Sequence, residues 1–244
     1  MRISSIGFIL AICCSSCASV YIASLRNVPL LTQHGEFQGT MSFGNGLNAN
    51  AAFALTNHIG IMAGALYANN KYQPFDNTYR IHRSGEAGLG YFGFKNQYSY
   101  EVYAGYGGGK GYAQDSTFGF FLANNTQHIF KGTYNKAFVQ PTFAFRLKRF
   151  QFIVTSRVTR VDFTRLDLSV NNNIARNLPG RRFYFIEPSF TSKFFIKEAA
   201  TSMFAFAQVG FNVAEQPELF VISLQYWLWY QVIAVGCSPI GGRF

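Results

Sequence analysis

The sequence predicts an all-β chain: an antiparallel up-and-down transmembrane β-barrel of about ten strands, or eight at the lower count, behind a lipidated N-terminal tether. Three observations carry that expectation. From residue 36 onward, apolar and polar side chains alternate with period two through nearly the whole chain, and helical spacing never holds for long. The connections between the alternating runs are short and long in turn. Aromatic residues gather toward the two ends of the runs, with small aliphatic residues between them.

Composition narrows the class further. Of 244 residues, 18 % are aromatic and only 13 % charged, with 27 Phe, 14 Tyr and 23 Gly. Soluble domains usually carry about 25 % charged residues. No stretch reaches the ~18 consecutive apolar residues that a spanning helix needs, so apolar surface is either packed in a large core or presented to lipid as strands. The formal net charge is +10, but the 21 Lys and Arg are scattered singly. That pattern argues against a nucleic-acid partner.

The chain opens "MRISSIGFILAICCSSCASVY". One cation, Arg2, precedes a short apolar run and then small residues, the layout of a secretory signal peptide over residues 1–16. "CSSC" resembles the lipobox of bacterial lipoproteins, with Cys17 as the lipidated residue, although Cys14 stands where that pattern has Leu. Cleavage there removes Cys13 and Cys14 and leaves Cys237 without a partner, so no disulfide framework is expected. Residues 17–35 read as the tether, with Pro29 discouraging regular structure.

The barrel is expected over residues 36–244, with strands at 36–43, 48–56, 59–69, 85–95, 98–112, 134–148, 150–168, 183–197, 203–213 and 218–232. Asn57–His58, Asn96–Gln97, Arg149 and residues 198–202 serve as tight turns. Residues 71–84, 113–133 and 169–182 read as long loops. Tight turns at one end and long loops at the other are the pattern of outer-membrane barrels. Ten strands would put both termini on the tight-turn, periplasmic side, in agreement with a lipid anchor there.

Sorting by height assigns the faces. Tyr98, Tyr100, Phe143, Phe145, Phe150, Phe152, Phe194 and Tyr230 form an aromatic girdle at the tight-turn end, and Tyr67, Tyr106, Tyr184, Phe211 and Phe220 a looser one at the other. Amphipathic rings belong at the two membrane–water interfaces, so this face looks outward. The opposite face carries Glu86, Glu101, Arg146, Arg157, Glu187 and Lys193, a charge network that must pair inside a narrow lumen because lone buried charges are costly. Arg157 and Glu187 come to the same height if their strands are neighbours.

"GLGYFG" (residues 88–93) fits G-x-G-x-x-G, but strand-like residues flank it on both sides where a nucleotide site needs a following helix. "GYGGGKG" lacks the ending of a phosphate loop. Of the four histidines, none forms a zinc pair or sits by a nucleophile turn. His82 with Asp76 and Ser84 could be assembled only on paper, and His82 beside Arg80 and Arg83 reads as a solvated basic loop. No catalytic residue, metal site or cofactor is expected.

"CSSC", the entry "RNVPLLTQHGEFQGT", the hairpin meander and the terminal Phe244 together resemble small outer-membrane β-barrel lipoproteins of the OmpA-like transmembrane type in Gram-negative bacteria. The resemblance implies a monomer in the cell outer membrane, inserted by the barrel-assembly machinery, and no defined activity. The leading expectation is a structural or surface-interaction role, with long loops outside and a lumen filled by polar side chains. The alternatives are a narrow gated pore and a soluble, lipocalin-like lipid-binding barrel with its faces inverted. Loop cations such as Lys71, Lys110, Lys131 and Arg181 either lie against lipopolysaccharide or are ordinary solvated charge.

Overall fold

Alternating sequence becomes extended chain wherever one face is apolar and the other polar, because each strand can then bury one face and leave the other turned away. In the computed structural model the described residues are 21–43, 46–71, 79–117, 126–170, 173–177, 180–197, 203–210, 213–215 and 227–229. The signal segment, Cys17, Asp76, Phe211, Asn212, Phe220, Tyr230, Cys237 and Phe244 lie outside them.

The strands are β1 Phe37–Phe43, β2 Leu47–Ala54, β3 Ile59–Lys71, β4 Tyr79–Lys95, β5 Tyr98–Thr117, β6 Thr126–Leu147, β7 Phe150–Val170, β8 Asn173–Asn177, β9 Arg182–Lys197, β10 Met203–Gly210, β11 Val213–Glu215 and β12 Trp227–Trp229. They form one antiparallel sheet in the order β1-β2-β3-β4-β5-β6-β7-β9-β10-β12, with β8 on β7 and β11 on β9. β11 keeps the register of β10 against β9, so the two continue one line. The all-β, up-and-down expectation holds. The sheet is barrel-like, curling around residues 21–31, with β1 and β12 as its two ends among the described residues.

Residues 198–202 lie outside the described residues; the other tight turns fall at 55–58, Asn96–Gln97 and Lys148–Arg149, one or two residues wider than expected at the first and last, and have local causes. Asn96 (φ 55°) and Lys148 (φ 46°) adopt the left-handed conformation that two-residue reversals demand. At 55–58, the Thr56 hydroxyl accepts the amides of His58 (3.1 Å) and Ile59 (2.9 Å). The long connections are shorter than expected. β4 starts at Tyr79, β5 runs to Thr117 and β6 starts at Thr126, so much of the sequence read as loop is strand. There apolar residues such as Tyr79, Ile81, Ile129 and Phe130 are few and set among polar ones, and the sustained alternation that marks a strand is missing.

The outward face is apolar. Ile61, Leu89, Tyr91, Val102, Val139, Phe143, Val154, Ile186, Phe190 and Val209 are all exposed. The inward face carries Gln38, Asn48, Asn50, Glu86, Glu101, Gln140, Thr155, Arg157, Thr159, Glu187, Thr191, Lys193 and Gln208, all buried. This is the reverse of a lipocalin-like pocket, whose apolar side chains point in.

"GLGYFG" lies within β4 and shapes the wall. A Cβ on inward-facing Gly90 would stand 2.4 Å from Tyr103 Cδ1 and 2.5 Å from the Val102 carbonyl oxygen, so the glycine makes room for a buried ring. The three atoms nearest a Cβ on Gly93 all belong to the Tyr100 ring, which faces outward and can swing aside. Gly90→Ala is therefore expected to cost ~1–3 kcal/mol by overpacking, and Gly93→Ala almost nothing. The shift in urea midpoint of the folded band on a gel checks both, and equal shifts would refute the packing argument.

Candidate functional site

The segment read as a free tether is instead inside the barrel over residues 21–31. It has no regular structure, as Pro29 suggested, yet Tyr21, Ile22, Leu25, Val28, Leu30 and Leu31 are all buried. Tyr21 packs with Tyr134, Val161, Phe163 and Phe185. Ile22 meets Leu66 and Ala68, Leu25 meets Phe204 and Phe206, and Val28 and Leu30 meet Ala144 and Ile153. Leu31 ends among Ala54, Met62, Phe92, Tyr103 and Phe138. Then Gly35 (φ 78°) turns the chain into β1, and the Glu36 carboxylate accepts the amide (2.6 Å) and hydroxyl (2.9 Å) of Thr32 to hold that corner.

An extended segment with no strand neighbour leaves its backbone polar groups to be satisfied by side chains. The lumen supplies them. The Leu25 amide donates to Asn48 Oδ1 (3.2 Å), the Arg26 amide to Gln208 Oε1 (2.9 Å) and the Leu30 amide to Glu101 Oε2 (2.9 Å). Gln140 Nε2 donates to the Asn27 carbonyl (2.7 Å), Gln208 Nε2 to that of Arg26 (3.3 Å) and Lys193 Nζ to that of Val28. Leu30 takes a left-handed φ of 52°. That conformation costs a residue with a Cβ roughly 1–2 kcal/mol, and it coincides with the amide that reaches Glu101.

The charges form two tiers. Toward the long-loop side, Arg157 Nη1 lies 2.8 Å from Glu86 Oε1, and Lys136 Nζ also pairs with Glu86. Arg157 further donates to Gln140 Oε1 through Nε (2.9 Å) and Nη2 (2.6 Å) and stacks over Phe138 at 4.2 Å. Glu187 pairs with Arg26 at 3.0 Å and accepts from Tyr21 (3.0 Å) and Thr159 (2.9 Å). Toward the tight turns, Glu101 and Lys193 hold the backbone at Leu30 and Val28. The register does set Arg157 opposite Glu187. The ion pairs, however, run elsewhere: Arg157 crosses the lumen to β4, and Glu187 takes its partner from the N-terminal segment. Arg157 and Glu187 are each 0 % exposed, so the middle of the lumen is closed to solvent.

Arg146 stands at the tight-turn mouth, its guanidinium 4.5 Å over the Phe195 ring. The described girdle residues occupy the outward face and touch along it. Tyr98 lies 5.8 Å from Phe143 and 5.2 Å from Phe145, Phe150 lies 5.0 Å from Phe194 and 6.3 Å from Phe152, and Tyr100 lies 6.4 Å from Tyr91. His82 is not a solvated loop residue. It is buried on β4, its Nε2 2.8 Å from the Tyr134 hydroxyl. Among the described residues no cluster of three His, Cys, Asp or Glu could hold a metal.

The sequence pattern does not single out Lys136, Tyr134, Tyr103 or Phe138, although all four line the lumen. Lys136 shares its parity with Gln140 and Thr142, so counting back by twos along β6 reaches it. Nothing periodic marks Tyr21, Ser24 or Arg26. Comparison with protein-family models, with curated proteins and with solved structures returned no match. Chemically, the arrangement grips an extended peptide: apolar niches for its side chains, polar groups for its backbone, and a carboxylate for its arginine.

Proposed function

We propose that this chain is an outer-membrane β-barrel, closed by its own N-terminal segment, that serves as a structural or surface-interaction scaffold. The outward apolar band carries the reading. On β7 it runs from Phe150 to Val158 before Arg160 and Asp162 appear, on β5 from Tyr98 to Tyr106, and on β6 from Leu147 back to Ala137 before Asn135. These runs of about 9–11 residues match what a tilted strand needs to cross a bilayer. At ~3.3 Å per residue and ~40° tilt they span about 20–25 Å, near the usual apolar height of such barrels. Water is a poor solvent for a continuous belt of this kind.

β5, β6 and β7 have 20, 22 and 21 residues. About half of each therefore projects beyond the band on the long-loop side, as hairpins free to meet a partner or lipopolysaccharide. Arg160 and Arg182 both bind Asp162 there, at 2.8 and 2.6 Å, which stiffens the β7–β9 rim. A gated narrow pore is the second reading. It is favoured by one observation: the obstruction is a separate segment outside the strand ladder.

Carbonate washing of native membranes followed by a gel with and without boiling tests the membrane reading. The protein is expected to stay in the outer-membrane fraction and to shift its mobility on heating. Release by carbonate from a Cys17→Ser variant would sink it.

A further inference from the structure

The direction in which residues 21–31 run opposes the expected periplasmic anchor. Leu31 lies at the tight-turn end, beside Ala54 and Phe92, whereas Tyr21 lies far toward the long loops, its ring 5.4 Å from Tyr134 and 4.7 Å from Phe185. Tyr134 is 13 residues along β6 from Leu147, and Val161, in the same cluster, is 11 along β7 from Phe150. At ~3.3 Å rise and ~40° tilt those counts place Tyr21 about 28–33 Å from the tight-turn end. Ten extended steps from Tyr21 to Leu31 cover about 33 Å, so the segment crosses this depth nearly once, without doubling back.

Cys17 precedes Tyr21 by four residues. Four residues reach at most ~14 Å, no more than about half the distance back to the tight turns. The geometry points to a chain that threads its own barrel and delivers its N-terminal side, with any group carried by Cys17, to the long-loop face. Resting on the membrane reading above, the long-loop face is the cell exterior, and an acyl group on Cys17, if the lipobox-like CSSC is processed, would be delivered to that side.

The test places one epitope tag per full-length variant: between Ser19 and Val20, between Asn96 and Gln97 in a tight turn, or between Phe121 and Leu122, between β5 and β6 at the end that the sequence assigns to the long loops. Antibody binding is read on intact and on permeabilised cells. The N-terminal tag is expected to follow the long-loop tag and to be seen on intact cells. It overturns the proposal by following the tight-turn tag, or by staying silent in protein that still behaves as a barrel. A second measurement is independent of any membrane. In a Cys237→Ser background purified in detergent, a short bis-maleimide is expected to join Tyr21→Cys to Phe185→Cys, giving a looped band. Absence of that band in folded protein overturns the threading by itself. A crosslink in protein that carbonate releases would retain the threading and discard the outer-membrane setting.

Discussion

Glu86→Ala is expected to destabilise the barrel by about 3–5 kcal/mol, because it leaves two buried cations with no counter-charge. Lys136 and Arg157 both pair with this one carboxylate, and all three side chains are at most 3 % exposed. Arg157 keeps Gln140 as a partner when Glu86 is lost, whereas Lys136 retains only a 3.5 Å contact with Ser24. Lys136→Met added to Glu86→Ala should therefore restore about half of the loss. Asp162→Asn provides the contrast. Asp162 also holds two arginines at short distance, but its side chain is 38 % exposed at the rim. Water screens that cluster, and the cost should stay within about 1 kcal/mol. Urea midpoints of the heat-modifiable folded form measure all three. Equal losses for Glu86→Ala and Asp162→Asn would mean the lumen is wet.

Legibility in the sequence divides along a physical line. Strand parity depends only on alternation, so the inward positions of Glu86, Glu101, Arg157, Glu187 and Lys193 follow from the residue pattern alone. So does the turn at Asn96, whereas the left-handed residue of the next turn is Lys148, one position before the Arg149 that the alternation marked. The partner of Arg157 does not follow from the pattern. Glu86 and Arg157 face each other across the lumen from non-adjacent strands, and that distance is set by how tightly the sheet curls. Residues 79–84 of β4, 113–117 of β5 and 126–133 of β6 read as loops because their few apolar side chains do not sustain an alternation, although backbone pairing continues there. The N-terminal segment is the hardest case. "YIASLRNVPLL" has no period to betray its environment, since successive side chains pack against different strands of the sheet. Its apolar content is the one available signal: six large apolar side chains are too many for an exposed tether.

Excision of residues 21–31 is expected to abolish folding rather than open a pore. Six large apolar side chains leave the core, each worth ~1.5–3 kcal/mol of burial. Their sum of about 9–18 kcal/mol is an upper bound, reduced by 10–40 % for residual burial in the unfolded chain. Even so it rivals the ~5–15 kcal/mol that holds a typical domain together. Glu187, Glu101 and Gln208 would also lose partners inside a closed lumen. The excised chain should migrate as the unfolded form whether or not the sample is boiled. A synthetic peptide of residues 21–31, added during refolding, should restore the heat-modifiable band, because the contacts it makes with the wall are all noncovalent. An Arg26→Glu peptide should fail, since it sets a second carboxylate against Glu187. The gated-pore reading makes the opposite forecast. If the excised barrel folds and conducts ions in a planar bilayer, and the peptide closes it, residues 21–31 are a gate and not part of the core.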